Sequence, residues 1–267
     1  MQNFIKALTI GAALAAIAGS ANAGVYNWEW QPGDDGAYSN QGGAINWIQS
    51  SFDSDTNRLT WYANFGNVPS SSSNTEGFTL AINNGPNPKG YEGELGLFYF
   101  DASRSSGPRL TVYGYNGRND ASSYYDGTKD DTIVAPDRIL SSLHSSANNW
   151  VFDLKSELNG DGSRTMGFSI DATDIVDHNP LYSAGGTDWS GAGYDDNIGV
   201  WFHSFAGLDT RYRTNGYLKR WTANRQGWLD LANGSTMTDP VPEPASLLLL
   251  GGGLGLAGLV ARCRKRA

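Results

Sequence analysis

The sequence predicts an all-β protein: an antiparallel β-sandwich, jelly-roll-like, with an N-terminal signal peptide and one C-terminal transmembrane helix. Three observations predict it. Apolar residues alternate with polar ones through much of residues 24–239. Clusters rich in Gly, Asn, Ser and Pro separate these runs. The long uncharged apolar stretches lie at the two ends.

The first element is the leader, MQNFIKALTIGAALAAIAGSANA, residues 1–23. Lys6 supplies an early positive charge, and Ala7 to Ala18 is an apolar run of signal-peptide length. Ala21 and Ala23 fit the small-x-small rule for cleavage before Gly24.

The body, residues 24–239, is predicted as one β-sandwich domain. Tyr26, Trp28 and Trp30 alternate with Asn27 and Glu29. Leu59, Trp61, Ala63 and Phe65 alternate with Thr60, Tyr62 and Asn64. Phe78, Leu80 and Ile82 do the same. Further strand-like runs are Glu94–Phe100, Arg109–Tyr115, Asn149–Leu154, Thr165–Ile170 and Ile198–Phe205. In LNGDGS, Asn159-Gly160 and Asp161-Gly162 favour a hairpin turn. Two short segments have helical spacing, Asp137 to Leu143 and Asp171 to Asp177, the second capped by Asp171 and stopped by Pro180. Neither is long enough to organise a fold. Many short strands close as a sandwich or barrel.

Charge restricts the partners. Residues 24–242 carry 14 Lys+Arg and 26 Asp+Glu, and 14 minus 26 is −12. Such a body repels nucleic acid at long range, and none is expected as a partner. The one cysteine, Cys263, lies in the basic C-terminal tail. The body therefore has no disulfide, thiol nucleophile or cysteine metal cluster.

The motifs point away from catalysis. There is no G-x-S-x-G, no H-E-x-x-H, and the three histidines, His144, His178 and His203, are isolated in sequence. Glu92 and Glu94 share one strand face, as the carboxylates of a glycoside hydrolase would. The pattern also suits an exposed strand kept soluble by charge. No catalytic residue and no cofactor are assigned. Ca²⁺ is the one candidate cation: Asp126, Asp130 and Asp131 crowd a single loop, and Asn159, Asp161 and Ser163 have the spacing of a calcium loop without its closing Glu. Asp195 and Asp196 add another pair. Solvated turns explain the same residues.

Aromatic residues on polar segments are candidates for glycan binding, since ring faces pack on the C–H surface of sugars. In Arg109–Tyr115, Leu110 and Val112 are predicted to face in, while Tyr113 and Tyr115 face out. Tyr124, Tyr125 and Trp189 lie in polar loops and complete the set. Trp47, Trp61, Trp150 and Trp201 are expected in the core.

The C-terminal segment, residues 240–267, has three parts. Val241-Pro242-Glu243-Pro244 comes first. Ala245 to Ala261 is uncharged and long enough to span a bilayer, and Arg262, Arg264, Lys265 and Arg266 follow as a stop-transfer cluster. The GLGLAG inside fits G-x-G-x-x-G, but no helix or acidic ribose ligand can follow it before the chain ends. The order VPEP, Leu/Gly-rich span, basic tail resembles the PEP-CTERM sorting signal of Gram-negative bacteria, a tail also labelled "ice-binding protein C-terminal domain". The resemblance implies an exosortase-type processing enzyme as partner. It implies a membrane-anchored intermediate, then delivery to the cell surface or extracellular matrix, in a setting of biofilm and exopolysaccharide. A second resemblance covers Glu76–Leu97, EGFTLAINNGPNPKGYEGELGL, which is similar in rhythm to concanavalin-type, lectin-like jelly rolls. It implies a sandwich and suggests carbohydrate without supplying a sugar site.

The functional expectation is a secreted, non-enzymatic surface or matrix protein, with exopolysaccharide or another glycan as ligand. A glycan-active hydrolase and a purely structural surface protein stay open beside it.

Overall fold

The structure is a computed structural model, and it describes residues 24–71, 73–85, 88, 95–114, 137–144, 149–179, 189 and 191–231. These residues belong to one compact unit, Val25–Val241, apart from Gly24. Several predicted features lie outside the described residues: Ala21 and Ala23, the tail from Val241 to Arg266 with its transmembrane span, Glu92 and Glu94, Tyr115, Tyr124 and Tyr125, and Asp126, Asp130 and Asp131. Among the described residues no helix is long and apolar enough to cross a membrane.

The strands run in chain order as β1 (Val25–Trp30), β2 (Ala37–Ser39), β3 (Ile45–Asp53), β4 (Arg58–Phe65), β5 (Gly77–Asn83), β6 (Gly96–Asp101), β7 (Arg109–Gly114) and β8 (Arg138–Ser141). Then come β9 (Val151–Leu158), β10 (Arg164–Asp171), a single helical turn α1 (Thr173–Val176), β11 (Gly199–Tyr212) and β12 (Leu218–Asp230). They form two sheets, ordered β1-β3-β4-β10-β9 and β2-β12-β11-β5-β6-β7-β8. All the strand pairings in both are antiparallel.

The period-2 residues make the core between the sheets. Trp28 and Trp61 stack with centroids 5.5 Å apart inside the five-stranded sheet. Phe168 crosses to Phe98 at 5.4 Å, and Trp61 crosses to Phe202 at 5.9 Å. Each such ring is fully buried, and burial of one aromatic side chain stabilises by about 1.5–3 kcal/mol. Tight turns join the strands where the sequence placed them. In Asn159–Ser163, Gly162 has φ +85°, and the Asn159 N–H donates to the Ser163 carbonyl at 2.7 Å.

Two local expectations change. Asp137–Leu143 is not helical: Arg138–Ser141 is β8, paired to β7 through Thr111↔Ser141 and Val112↔Leu140. β7 offers a backbone ladder there, whereas two isolated helical turns would leave most of their groups unpaired. The Asp171 segment does turn helical. Its Oδ1 accepts the Thr173 N–H at 2.9 Å, although the residue at the N-cap position itself is Ala172.

The larger correction concerns the seven-stranded sheet, which is buried on both faces at β6 and β7. β6 has no exposed residue at all. Its inward set, Phe98 and Phe100, belongs to the inter-sheet core. Its outward set, Leu97 and Tyr99, joins a second core with Tyr113, Trp201, Phe205, Leu208, Leu218 and Trp221. The far half of the β11–β12 hairpin supplies the cover. β11 leaves β5 after Phe205↔Gly77. Gly207, at φ +65°, then bends the ribbon so that Leu208 and Trp221 come down on Gly77. A Cβ on Gly77 would stand 2.8 Å from Leu208 Cδ2 and 3.1 Å from Trp221 Cη2.

Polar bonds pin the ribbon along its length. Asp101 is fully buried. Its Oδ2 accepts the Thr210 hydroxyl at 2.6 Å and the Tyr212 hydroxyl at 2.8 Å. Burial, with the negative charge of Asp101 beside it, pushes the Tyr212 phenol far above its usual range. Farther out, the Tyr113 hydroxyl donates to the Leu218 carbonyl at 2.5 Å and the Ser141 hydroxyl to the Gly216 carbonyl at 2.7 Å.

Candidate functional site

The outer face of the five-stranded sheet is where polar and aromatic groups meet solvent. Register fixes what lies side by side. One row runs Glu29, Gln49, Tyr62, Gly167, Lys155 across β1, β3, β4, β10 and β9. The next row, toward one end, runs Trp47, Asn64, Thr165, Glu157.

Trp47 owes its position to a β-bulge. β3 pairs Ile45 with Phe65 and Trp47 with Asn64, so Asn46 is the extra residue. A bulge bends its strand and re-aims the neighbouring side chain. Behind Trp47 a hydrogen-bonded net holds the row. Asn46 Nδ2 donates to Asn64 Oδ1 at 2.7 Å. The buried Asn64 amide in turn donates to the Ser163 and Thr165 hydroxyls, both at 3.1 Å. Asn159 Nδ2 donates to the same two hydroxyls.

Beside Trp47 lies a half-open groove of ≈ 290 Å³, lined by Glu29, Trp30, Gln31, Asp34, Trp47, Ile48 and Gln49. Gln49 Nε2 donates to Glu29 Oε1 at 3.0 Å. Asp34 folds its loop by accepting the Gln31 N–H at 2.8 Å. The groove floor is anchored by Trp30, whose Nε1 donates to the Asp35 carbonyl at 2.9 Å. The groove thus offers a half-exposed indole next to two carboxylates and two amides. That composition matches a sugar: C–H faces pack on the ring while hydroxyls meet carboxylate and amide oxygens.

Tyr62 extends the face. Its hydroxyl donates to Asp153 Oδ2 at 2.6 Å. Burial, and then the Asp153 carboxylate that accepts its hydrogen bond, raise the phenol well above its ordinary range. The ring therefore stays neutral and fixed.

The aromatic residues singled out in sequence go elsewhere. Tyr113 is fully buried in the second core, so its expected outward platform is overturned: the folded-over ribbon occupies that side of β7. Trp189 is half-buried against the inter-sheet core. Its Nε1 donates to the Ile175 carbonyl at 2.7 Å, which turns the indole into a structural prop. Trp61, Trp150 and Trp201 are buried, and Trp47 alone of the four expected core tryptophans is half-exposed.

The histidines stay apart. His178 Nε2 meets Asp137 Oδ2 at 3.0 Å and stands edge-on to Trp189. His203 contacts Gln226, and His144 contacts the Asn215 carbonyl. The calcium-like spacing at Asn159, Asp161 and Ser163 is an ordinary turn. Asp161 Oδ1 accepts both the N–H and the hydroxyl of Ser163, and those two bonds hold its carboxyl below the usual range. Asp195 accepts the Asn197 N–H. Among the described residues no group of three His, Cys, Asp or Glu is placed to hold a metal.

The far end of the chain carries a recognised motif. Residues 240–265 match the model described as the PEP-CTERM protein-sorting motif. The chain carries a PEP-CTERM sorting motif. The match covers the tail and leaves the sandwich unclassified. The motif makes this PEP-CTERM protein an exported, membrane-passing one of the Gram-negative type. No curated protein matches the chain. A solved structure titled "pH-induced modulation of Streptococcus parasanguinis adhesion by Fap1 fimbriae" is 13% identical. The match covers 85% of this PEP-CTERM protein and 96% of that chain, with a TM-score of 0.24. At that TM-score it supports no statement about fold or function.

Proposed function

We propose that this PEP-CTERM protein is a non-enzymatic surface or matrix protein that binds a glycan on the outer face of its five-stranded sheet. An exosortase-type enzyme processes its tail, with the membrane-anchored chain as the intermediate. The observation that carries the binding reading is the groove at Trp47, where one half-exposed indole adjoins Glu29, Asp34, Gln31 and Gln49. The fixed ring of Tyr62 continues that surface into the next strand. The strand path passes between sheets after β1, β2, β4, β8 and β10, which supports the jelly-roll-like reading.

The test is retention of the full chain, in uncharged detergent, on immobilised exopolysaccharide from its host, with and without Ca²⁺. The expected result is retention that Trp47→Ala weakens and that Ca²⁺ leaves unchanged. Wild-type chain that passes through unretained would sink the glycan reading. Retained chain that also shortens the polysaccharide would favour a hydrolase.

A further inference from the structure

The ribbon that covers the second core carries an unusual charge pattern on its own outer side. In the 19 residues Gly207–Arg225 there are five Lys+Arg and one Asp, in a body whose net charge is −12. Leu208, Thr210, Trp221 and Leu218 point to the sheet and are buried. The alternate positions point to solvent. Arg211 and Arg220 stand directly opposite each other in register, and both are exposed. Lys219, the extra residue of the bulge between Arg211↔Arg220 and Tyr212↔Leu218, is exposed beside them. Arg213 continues the row.

Two guanidinium groups facing each other across a strand pair repel, and like charges so placed destabilise a sheet. The acid on this face, Asp209, is held by Arg220 at 2.9 Å. Arg211 has no carboxylate partner among the described residues. A fold that sets three exposed cations, Arg211, Lys219 and Arg220, round one carboxylate, on the outer side of a rigidly pinned ribbon, has a surface complementary to an extended polyanion.

We propose that the outer side of the β11–β12 ribbon is a second binding surface, and that its ligand is an anionic polysaccharide bearing carboxylate or sulfate groups. Arg211 and Arg220, side by side across the strand pair, meet the acidic groups of one chain, with Lys219 at the flank. An exported protein meets such polymers outside the cell. Duplex DNA is the competing polyanion, and the acidic remainder of the body opposes a stiff, highly charged rod more than a flexible glycan. The surface is separate from the groove at Trp47 and does not depend on it.

The experiment measures binding of the full chain, in uncharged detergent, to alginate, dextran sulfate, neutral dextran and duplex DNA at several salt concentrations. Wild type binds alginate or dextran sulfate with a marked salt dependence and ignores neutral dextran. Arg211→Gln with Arg220→Gln weakens that binding roughly tenfold and flattens its salt dependence. Arg211→Lys with Arg220→Lys keeps most of it, and Trp47→Ala leaves it intact. The thermal midpoint of Arg211→Gln alone stays level or rises, because a repulsion is removed. Equal affinity of wild type and the double Gln variant overturns the proposal. So does duplex DNA binding as tightly as the polysaccharides at matched salt. Unchanged binding with new aggregation of the variant would show that the charges guard the strand edge instead.

Discussion

Tyr62 and Gly167 are cross-strand partners, and the tyrosine ring fills the space a side chain at 167 would need. A Cβ on Gly167 would stand 2.6 Å from Tyr62 Cδ1 and would also strike the Trp61 carbonyl. The glycine lets the ring lie along the sheet and reach Asp153. Gly167→Ala is therefore expected to destabilise by ~1–3 kcal/mol, the usual cost of overpacking, and to weaken glycan retention. Denaturant unfolding of the variant beside wild type checks it, and an unchanged midpoint would mean that the ring is not held there.

The carboxylate of Asp101 is the inner anchor of the ribbon. It receives Thr210, Tyr212 and the Ser103 hydroxyl and N–H. Asp101→Ala leaves the Thr210 and Tyr212 hydroxyls without their acceptor, and a loss of roughly 1–3 kcal/mol follows. Hydrogen exchange should rise first in Leu208–Trp221, ahead of the five-stranded sheet. Uniform acceleration everywhere would show that the ribbon does not move as a unit.

Acid weakens two turns. At Asp53 burial works to raise the pKa. The Thr56 hydroxyl, the N–H groups of Asp55 and Thr56, and nearby Arg58 outweigh it and lower the value. Asp161 is lowered by Ser163. A carboxyl with a folded pKa below its unfolded one stabilises above the unfolded value, and that contribution is lost as pH falls through the folded one. Both groups are largely exposed, so the effect is small. The thermal-midpoint gap between wild type and the Asp53→Asn, Asp161→Asn double variant should hold at neutral pH and close below about pH 4. A gap that stays constant down to pH 2.5 contradicts the assignment.

The tail has its own test. Replacing Pro242, Glu243 and Pro244 by alanine should leave the chain in the inner-membrane fraction, since the match to the sorting motif begins at residue 240. Fractionation with an antibody against the body reads the result. Normal surface release of the variant would remove the processing step from the proposed function.

The sequence shows the core between the sheets plainly because one side of each strand there is apolar and the other polar. Tyr26, Trp28 and Trp30 of β1 keep that rule. It breaks down at β6 and β7, where LFYF and LTVYG are buried on both sides. A reader expecting one solvent face then sends Tyr113 outward. The cover was not legible either: β12 exposes Lys219, Arg220, Thr222 and Asn224 and buries only Leu218, Trp221, Gly227 and Leu229. The bulge at Asn46 hides Trp47 in the same way, since one extra residue shifts the phase of the alternation. Gln31, Asp34 and Gln49 carry no pattern at all, because a loop and two strands bring them together only in space.

The ribbon's place in the chain has one more effect. β12, the last strand, lies between β2 and β11, and β11 lies between β12 and β5. Pairs such as Trp228↔Ser39 join residues from opposite ends of the body. The early strands emerge long before the partners that unite them, and such distant pairings form slowly. The body thus completes itself only when its final hairpin has arrived, just ahead of the sorting tail. A chain cut short before Gly199 loses the two strands that join β2 to β5, which are interior strands of its larger sheet and not its margin.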